Sequence, residues 1–378
     1  MPLTIEQVMA ALATVNDPAL GKPVTDLGLV KDVAVDGENV RLTIDLPSNG
    51  AKAASRREQL GGAVRKAIAA LAGVKGVEVR WHEDLPGREV SADDPVPEVK
   101  NVVLVMSGKG GVGKSTVATN LTMALHRSGF RVGLLDADIY GPSIPTMLGV
   151  EGRPMSSDGK TIEPLERFGV KLMSIGFLLE DPKAAVVWRG PMLHGALLQF
   201  LKDVHWGPLD FLVLDLPPGT GDVALTLSQR VRATGAVIVT TPQQVATDDV
   251  FKSVSMCEKV NIPILGVVEN MSYFVDPAGL RHELFGKGGG KAVADFAKAP
   301  LLGQLPLDTT VREWGDKGTP VVQAAPFSPI ARAFVEIAER LVDVIDQKKA
   351  SQSATAEAGP VIDRSGGPGG KKRLPIAK

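Results

Sequence analysis

The residues with the most evident chemistry form one run, Ser107-Gly108-Lys109-Gly110-Gly111-Val112-Gly113-Lys114-Ser115-Thr116. Its glycines let the backbone bend closely around phosphate oxygens, with consecutive N–H groups turned inward as an anion nest. Lys114 can reach the terminal phosphates of a nucleotide, and the Ser115 hydroxyl can ligate Mg²⁺. The run follows an apolar stretch, Val102-Val103-Leu104-Val105-Met106, and precedes a helix-like segment from Val117 to Arg127. Strand, glycine loop and helix in that order are the context a P-loop requires. The helix N-terminus adds its partial positive charge. Gly108, Gly110, Gly111, Val112, Gly113, Lys114, Ser115 and Thr116 are therefore expected to hold the phosphates. Lys109, directly after the first glycine, is a second lysine that an ordinary P-loop does not need.

Two acidic strand ends lie downstream. Leu134-Leu135-Asp136-Ala137-Asp138 offers carboxylates that can face a γ-phosphate and orient a water. Phosphoryl transfer depends mainly on such positioning and on charge stabilisation. Phe211-Leu212-Val213-Leu214-Asp215 is an apolar strand ending in an acid, and Asp215 is expected to hold Mg²⁺ through water. The loop after it, Leu216-Pro217-Pro218-Gly219-Thr220-Gly221-Asp222, has backbone amides that can sense a γ-phosphate and move when it leaves. Asp222 could ligate, or could cap the next helix. Two further strand ends, Glu269-Asn270-Met271-Ser272 and Gly303-Gln304-Leu305-Pro306-Leu307-Asp308, complete the set. An Asn amide can satisfy both the donor and the acceptor edge of adenine; a turn-forming role for Asn270 stays open.

From Asn101 the pattern alternates apolar strands with amphipathic helices, which predicts an α/β fold with a mostly parallel sheet flanked by helices. Expected strands are 102–106, 132–135, 211–214, 236–240, 264–268 and 301–302, several of them continuous apolar runs suited to burial on both faces. Ligands gather beyond the carboxyl ends of such strands, where all the motifs above fall. Residues 151–176 read as an irregular, hairpin-like insertion. Ser328 as N-cap and Pro329 at the first helical position open a final helix with Ile330, Phe334, Ile337, Leu341 and Val344 on one face.

Upstream, Thr4-x-x-Gln7 is a capping-box start, and Ile5, Val8, Leu12 and Val15 keep helical spacing up to Asp17-Pro18. Two strands (30–35 and 40–46), a helical stripe (60–71) and a third strand (77–81) follow. This predicts a small α+β module. The expected division is 1–83 module, 84–100 linker rich in Pro and acid, 101–347 P-loop ATPase domain, and 348–378 disordered tail ending in Lys371-Lys372-Arg373.

Across 378 residues, 44% hydrophobic and 22% charged content suits about two folded domains. A net charge of −1 gives no global basic field for nucleic acid. The single cysteine, Cys257, excludes an internal disulfide framework and points to a reducing cytoplasm. The first residues lack a signal-peptide pattern, and no apolar run approaches the roughly 18 residues of a membrane span.

The run Gly108-Lys109-Gly110-Gly111-Val112-Gly113-Lys114-Ser115-Thr116 resembles the deviant Walker A of the MinD/ParA/nitrogenase-iron-protein ATPases. The resemblance implies that Lys109 reaches across a homodimer to the partner's nucleotide, that Asp138 positions the attacking water, and that Asp136 serves Mg²⁺ from further out. It also implies that Asn270, Pro306 and Asp308 line the adenine. The N-terminal segments Asp17-Pro18, Asp26-Leu27-Gly28-Leu29-Val30 and Gly73-Val74-x-x-Val77 resemble the MIP18-like module that accompanies iron–sulfur assembly proteins. Together with Asp138-Ile139-Tyr140-Gly141-Pro142-Ser143, Trp188-Arg189-Gly190-Pro191-Met192, Asp215 to Asp222 and Glu269-Asn270-Met271-Ser272-Tyr273-Phe274, the chain resembles the Mrp/ApbC iron–sulfur cluster carriers. That family implies an ATP-hydrolysing homodimer that holds a [4Fe–4S] cluster and passes it to apoproteins. Its cluster ligands are a Cys-x-x-Cys directly after an Asn-Met-Ser-Tyr-Phe-x segment; here that place reads Val275-Asp276-Pro277-Ala278-Gly279-Leu280, with no cysteine. The cluster ligands are therefore unassigned. A nucleotide-switched scaffold or regulator without a cluster, and a positioning ATPase of the MinD/ParA kind, are the alternatives.

Overall fold

The computed structural model describes residues 3–46, 53–82, 85, 87–138, 141–156, 158–178, 190–219, 227–228 and 230–357. Helix α1 (Ile5–Leu12) opens on the capping box: Gln7 N donates to Thr4 Oγ1 at 3.3 Å, and Thr4 N donates to Gln7 Oε1 at 3.0 Å. The helix ends at Leu12, before Val15, whose side chain is still buried. Strands β1 (Val30–Asp36), β2 (Asn39–Asp45) and β3 (Gly76–His82) form one sheet, with β1 antiparallel and β3 parallel to β2. The parallel step from β2 to β3 needs a crossover, which α2 (Ala53–Ala69) supplies. Val40, Leu42 and Ile44, alternate residues of β2, are fully buried in a core with Leu60, Val64 and Ile68 of α2.

The second core surrounds a larger sheet. Its elements run β4 (Val99–Met106), α3 (Lys114–Arg127), β5 (Val132–Asp136), α4 (Ile144–Leu148), β6 (Leu165–Arg167), β7 (Val170–Ser174), α5 (Gly190–Asp203), β8 (Leu209–Asp215), β9 (Gly235–Thr240), α6 (Gln244–Lys259) and β10 (Ile264–Glu269). A small hairpin, β11 (Phe274–Val275) and β12 (Arg281–His282), is followed by α7 (Gly289–Phe296), β13 (Leu301–Gln304), α8 (Thr309–Asp316), α9 (Val321–Ala324) and α10 (Pro329–Glu357). Among the described residues the sheet order is β13-β10-β9-β4-β8-β5-β7-β6, parallel except for β6 against β7. β4, β5, β8, β9 and β10 are buried almost throughout, as continuous apolar strands covered on both faces must be. The fold is the α/β architecture expected, with the P-loop at the carboxyl end of a central strand.

Three expectations need correction. The 151–176 insertion does contain a hairpin, but its strand β7 pairs parallel with β5 and so extends the main sheet. The stretch expected as a linker is packed: Leu85, Val96 and Val99 belong to the large core, and Arg88 donates to both Asp94 carboxylate oxygens and to the Val96 carbonyl. A buried bidentate pair held the segment together where no hydrophobic period was visible. The final helix also runs past Gln347 to Glu357, with Lys348 and Lys349 seated against the sheet. The basic cluster at 371–373 lies outside the described residues.

The two cores share a seam. Helix α3 starts at the P-loop and ends against β3: Arg127 pairs with Glu78 at 2.8 Å, and Trp81 N donates to the Ser128 carbonyl at 2.9 Å. Arg65 reaches Glu339 at 2.7 Å, and the buried Arg57 reaches Asp343 at 3.4 Å, joining α2 to α10. Among the described residues no helix is long and apolar enough to cross a membrane.

Candidate nucleotide site

The loop 107–113 bends tightly between β4 and α3, and two of its glycines show why. A Cβ at Gly108 would stand 2.4 Å from the Val250 backbone nitrogen of α6. Gly113, the N-cap of α3, sits at φ +80° and a Cβ there would meet Asn270 Nδ2 at 2.2 Å. The second contact ties two motifs together: Asn270 Nδ2 donates to the Val112 carbonyl at 2.9 Å, pinning the loop after β10 onto the P-loop. Asn270 is buried and its amide is half used in this bond.

The charged centre lies at the start of α3. Lys114 is buried, and its Nζ donates to Asp215 Oδ1 at 2.6 Å and lies 3.8 Å from Asp138 Oδ2. The Ser115 hydroxyl donates to Asp215 Oδ2 at 2.5 Å. Parallel pairing of β8 with both β4 and β5 is what brings these groups together. Asp136, directly opposite Asp215 in that register, is fully buried. It accepts from Asp138 N at 3.1 Å and from the Ser174 hydroxyl at 3.1 Å. Burial, and then the Asp215 carboxylate, push Asp136 up to about 8; burial also raises Asp215, against the pull of Lys114.

Two buried acids and Asp138 thus face one ammonium. An excess of carboxylate oxygen beside a hydroxyl is the donor set a hard divalent cation takes. Among the described residues no three His, Cys, Asp or Glu side chains form a cage of their own. Mg²⁺ uses one or two protein ligands and completes its shell with phosphate and water. Ser115 and Asp215 fit that role, with Asp136 behind them. Lys109 is half-buried, and among the described residues its ammonium has no partner. Its carbonyl accepts from the Ser107 hydroxyl at 3.0 Å, which fixes the turn while leaving the side chain free to reach outward.

Beside the phosphate loop is a cavity of about 530 Å³ lined by Gly113, Thr116, Asn270, Pro306 and Asp308, among others. These five expected residues therefore converge. Asp308 has a structural task as well: its Oδ1 accepts from Thr310 N at 2.8 Å and N-caps α8. The sequence reading missed Glu269. Its buried carboxylate accepts from Gly290 N, Gln304 Nε2 and the Ser272 hydroxyl, and so fixes the loop that carries Asn270. The signal available was the acid directly before Asn270 at a strand end. Thr220, Gly221 and Asp222 lie outside the described residues, as do Ile139, Tyr140, Trp188 and Arg189.

Residues 98–342 match the family described as NUBPL iron-transfer P-loop NTPase, and residues 5–81 match that of iron–sulfur cluster assembly proteins. The chain belongs to the NUBPL family of iron-transfer P-loop NTPases. Among its relatives, the iron–sulfur cluster carrier protein of Synechocystis sp. is 45% identical over 346 residues, covering 90% of this chain and 97% of the relative. The carrier protein of Escherichia coli K12 is 42% identical over 337 residues, covering 88% and 90%. Among solved structures, a nucleotide-binding protein in complex with ADP from Archaeoglobus fulgidus covers 64% of this chain and 96% of its own, at TM-score 0.54 and 39% identity.

Where this family resemblance puts two thiolates, the chain makes a tight turn. Asp276 Oδ1 accepts from Ala278 N and Leu280 N, both at 2.9 Å, and Asp276 Oδ2 meets His282 Nε2 at 2.7 Å. The His282 contact and these amides hold the Asp276 carboxyl below its usual range. Cys257 is buried on α6 with its sulfur 3.6 Å from Met106 Sδ, and burial pushes its thiol up to about 11. Iron–sulfur clusters take deprotonated thiolates. Neither place fits that chemistry.

Proposed function

We propose that this chain binds Mg-ATP at residues 108–116, hydrolyses it as a homodimer, and serves the delivery of iron–sulfur clusters to apoproteins in the cytoplasm. The observation that carries the ATPase reading is the convergence of Lys114, Ser115, Asp138 and Asp215 at the P-loop. In this reading the loop amides and Lys114 bind the phosphates, and Asn270, Pro306 and Asp308 hold the adenine. Asp138 orients the attacking water. Lys109 reaches the nucleotide of the partner. When bound, Mg²⁺ neutralises charge that develops on the phosphate oxygens. Domain limits follow the two cores, with the packed stretch from Leu85 counted with the ATPase unit. The direct test is ATP turnover by the Lys114→Ala variant; parental turnover would remove the assignment.

The cluster is cargo, and delivery rests on family membership. The structure offers no thiolate for it at the hairpin. One observation favours a second reading, a nucleotide-switched scaffold or regulator that holds no cluster: the Asp276 turn stands where the thiolates would be, and the only cysteine is buried. Anaerobic reconstitution with iron and sulfide separates the two.

A further inference from the structure

Strand β10 ends on Glu269, which stands between Thr240 of β9 and Gln304 of β13 in the parallel register. Two loops leave the sheet there side by side. Asn270 and Met271 follow Glu269, and Leu305, Pro306, Leu307 and Asp308 follow Gln304; all six line the cavity of about 530 Å³ beside the P-loop. Neither Glu269 nor Gln304 lines it.

The Glu269 side chain is fully buried, and its three donors are neutral. Oε1 accepts from Gln304 Nε2 at 2.6 Å and from the Ser272 hydroxyl. Oε2 accepts from Gly290 N at 2.5 Å, in the first turn of α7. The N-cap of α7 is Gly288, with no side-chain cap, so this oxygen stands in for one. Only glycine allows the approach, since a Cβ at Gly290 would stand 2.6 Å from Glu269 Cβ. Backbone bonds join the two loops to each other. Leu305 N donates to the Glu269 carbonyl at 2.9 Å, Ser272 N to the Leu305 carbonyl at 2.8 Å, and Leu307 N to the Tyr273 carbonyl at 2.6 Å. The carboxylate then joins both loops to α7, which packs on β10 and β13. Burying a carboxylate is costly where an apolar side chain could pack. What it supplies here is direction, because two oxygens fix three donors.

Asn270 shows what that order could serve. Its Nδ2 is committed to the Val112 carbonyl, and among the described residues its Oδ1 has no partner. An acceptor so fixed suits the amino group of adenine and opposes the carbonyl of guanine.

We propose that Glu269 is a positioning residue of the nucleotide site. Without touching the nucleotide, it sets the register of the loops after β10 and β13, and so determines affinity for the base and the preference for adenine over guanine. This role rests on the reading of Asn270, Pro306 and Asp308 as the residues that hold the adenine.

The test is titration calorimetry of the full chain with ADP, GDP and inorganic tripolyphosphate, each with Mg²⁺, alongside steady-state ATP turnover. Glu269→Gln replaces an acceptor oxygen by an amide NH2 that faces a donor whichever way it turns. It should weaken ADP about tenfold, the effect of a buried donor left unsatisfied, and shrink the preference for ADP over GDP. Tripolyphosphate carries no base and should bind within about twofold of parental; KM for ATP should rise while kcat stays within about threefold, as when uniform binding is lost. Glu269→Gln/Gln304→Glu exchanges donor and acceptor across the β10–β13 pair and should restore ADP affinity to within about threefold. Gln304→Ala, at an exposed position, should give the same split at about threefold should Glu269→Gln fold poorly. A parental circular dichroism spectrum certifies each variant. Parallel loss of ADP and tripolyphosphate affinity, or of KM and kcat together, marks a merely structural residue and overturns the proposal. Unchanged ADP affinity in both Glu269→Gln and Gln304→Ala overturns it as well. Asn270→Ala separates the two claims. If it leaves the preference for ADP over GDP intact, the adenine reading falls and takes the proposal with it. If it abolishes the preference while the Glu269 and Gln304 variants keep it, the role of Glu269 alone falls.

Discussion

The loop at Lys114 and the turn at Asp276 both end at polar side chains clustered beyond a strand, yet they are built in opposite ways. At the P-loop, buried charges hold one another: Lys114 spans Asp215 and Asp138, Ser115 takes the second Asp215 oxygen, and Asp136 stands behind, its carboxyl pushed up by burial. Such an arrangement is expensive without a ligand, because like charges sit together in a dry place. At the hairpin, Asp276 satisfies itself with two backbone amides and His282 in the open. Both Asp276 oxygens have partners there. A site kept for a ligand shows unfinished electrostatics, and a turn kept for folding shows finished ones. Family membership therefore transfers unevenly along this chain.

The comparison can be broken by substitution. The largest effect belongs to Lys109→Ala, which should lower ATP turnover on the order of 10³-fold, as loss of a charge supplied in trans does, while leaving ADP affinity near parental; steady-state turnover and equilibrium binding measure the two. Next comes Lys114→Ala, with a loss of about 100-fold or more in kcat/KM and weakened nucleotide binding. Gly113→Ala must place a Cβ at φ +80° and against Asn270 Nδ2. It should cost about 2 kcal/mol of stability, read by denaturant titration, and weaken adenine binding as Asn270 is displaced.

A smaller effect is a pH dependence. Asp136 holds its proton to about 8 in the fold, against 3.8 when unfolded. The folded state therefore binds the extra proton between those values, and its contribution to stability is complete below about pH 4 and lost as pH rises through about 8. Metal- and nucleotide-free protein should lose stability across that window, by at most about 1.4 kcal/mol per pH unit, and Asp136→Asn should flatten the slope. The smallest effect is at the other region: Asp276→Ala should leave ATP turnover at the parental rate.

Much of the nucleotide site was legible because its chemistry is local. Residues 108–116 are contiguous, and Asp136 and Asp215 each end an apolar run. What the sequence hid was long-range. The pinning of Asn270 onto Val112 spans 158 residues, and Glu269 gathers partners from the loop after β10, the start of α7 and the end of β13. The stretch 85–100 concealed its packing because a buried Arg88–Asp94 pair, not a hydrophobic period, orders it. The continuation of α10 was hidden by Lys348 and Lys349, whose charge suggested solvent although their amines reach carbonyl and amide oxygens of the sheet.

The claim at the centre is that the ATP switch and the holding of a cluster separate in this chain. It is tested most directly by reconstituting the purified full chain with iron and sulfide under anaerobic conditions, and recording visible and Mössbauer spectra alongside ATP turnover of the same sample. The account predicts turnover without a stoichiometric cluster. A [4Fe–4S] spectrum at one cluster per dimer would contradict it.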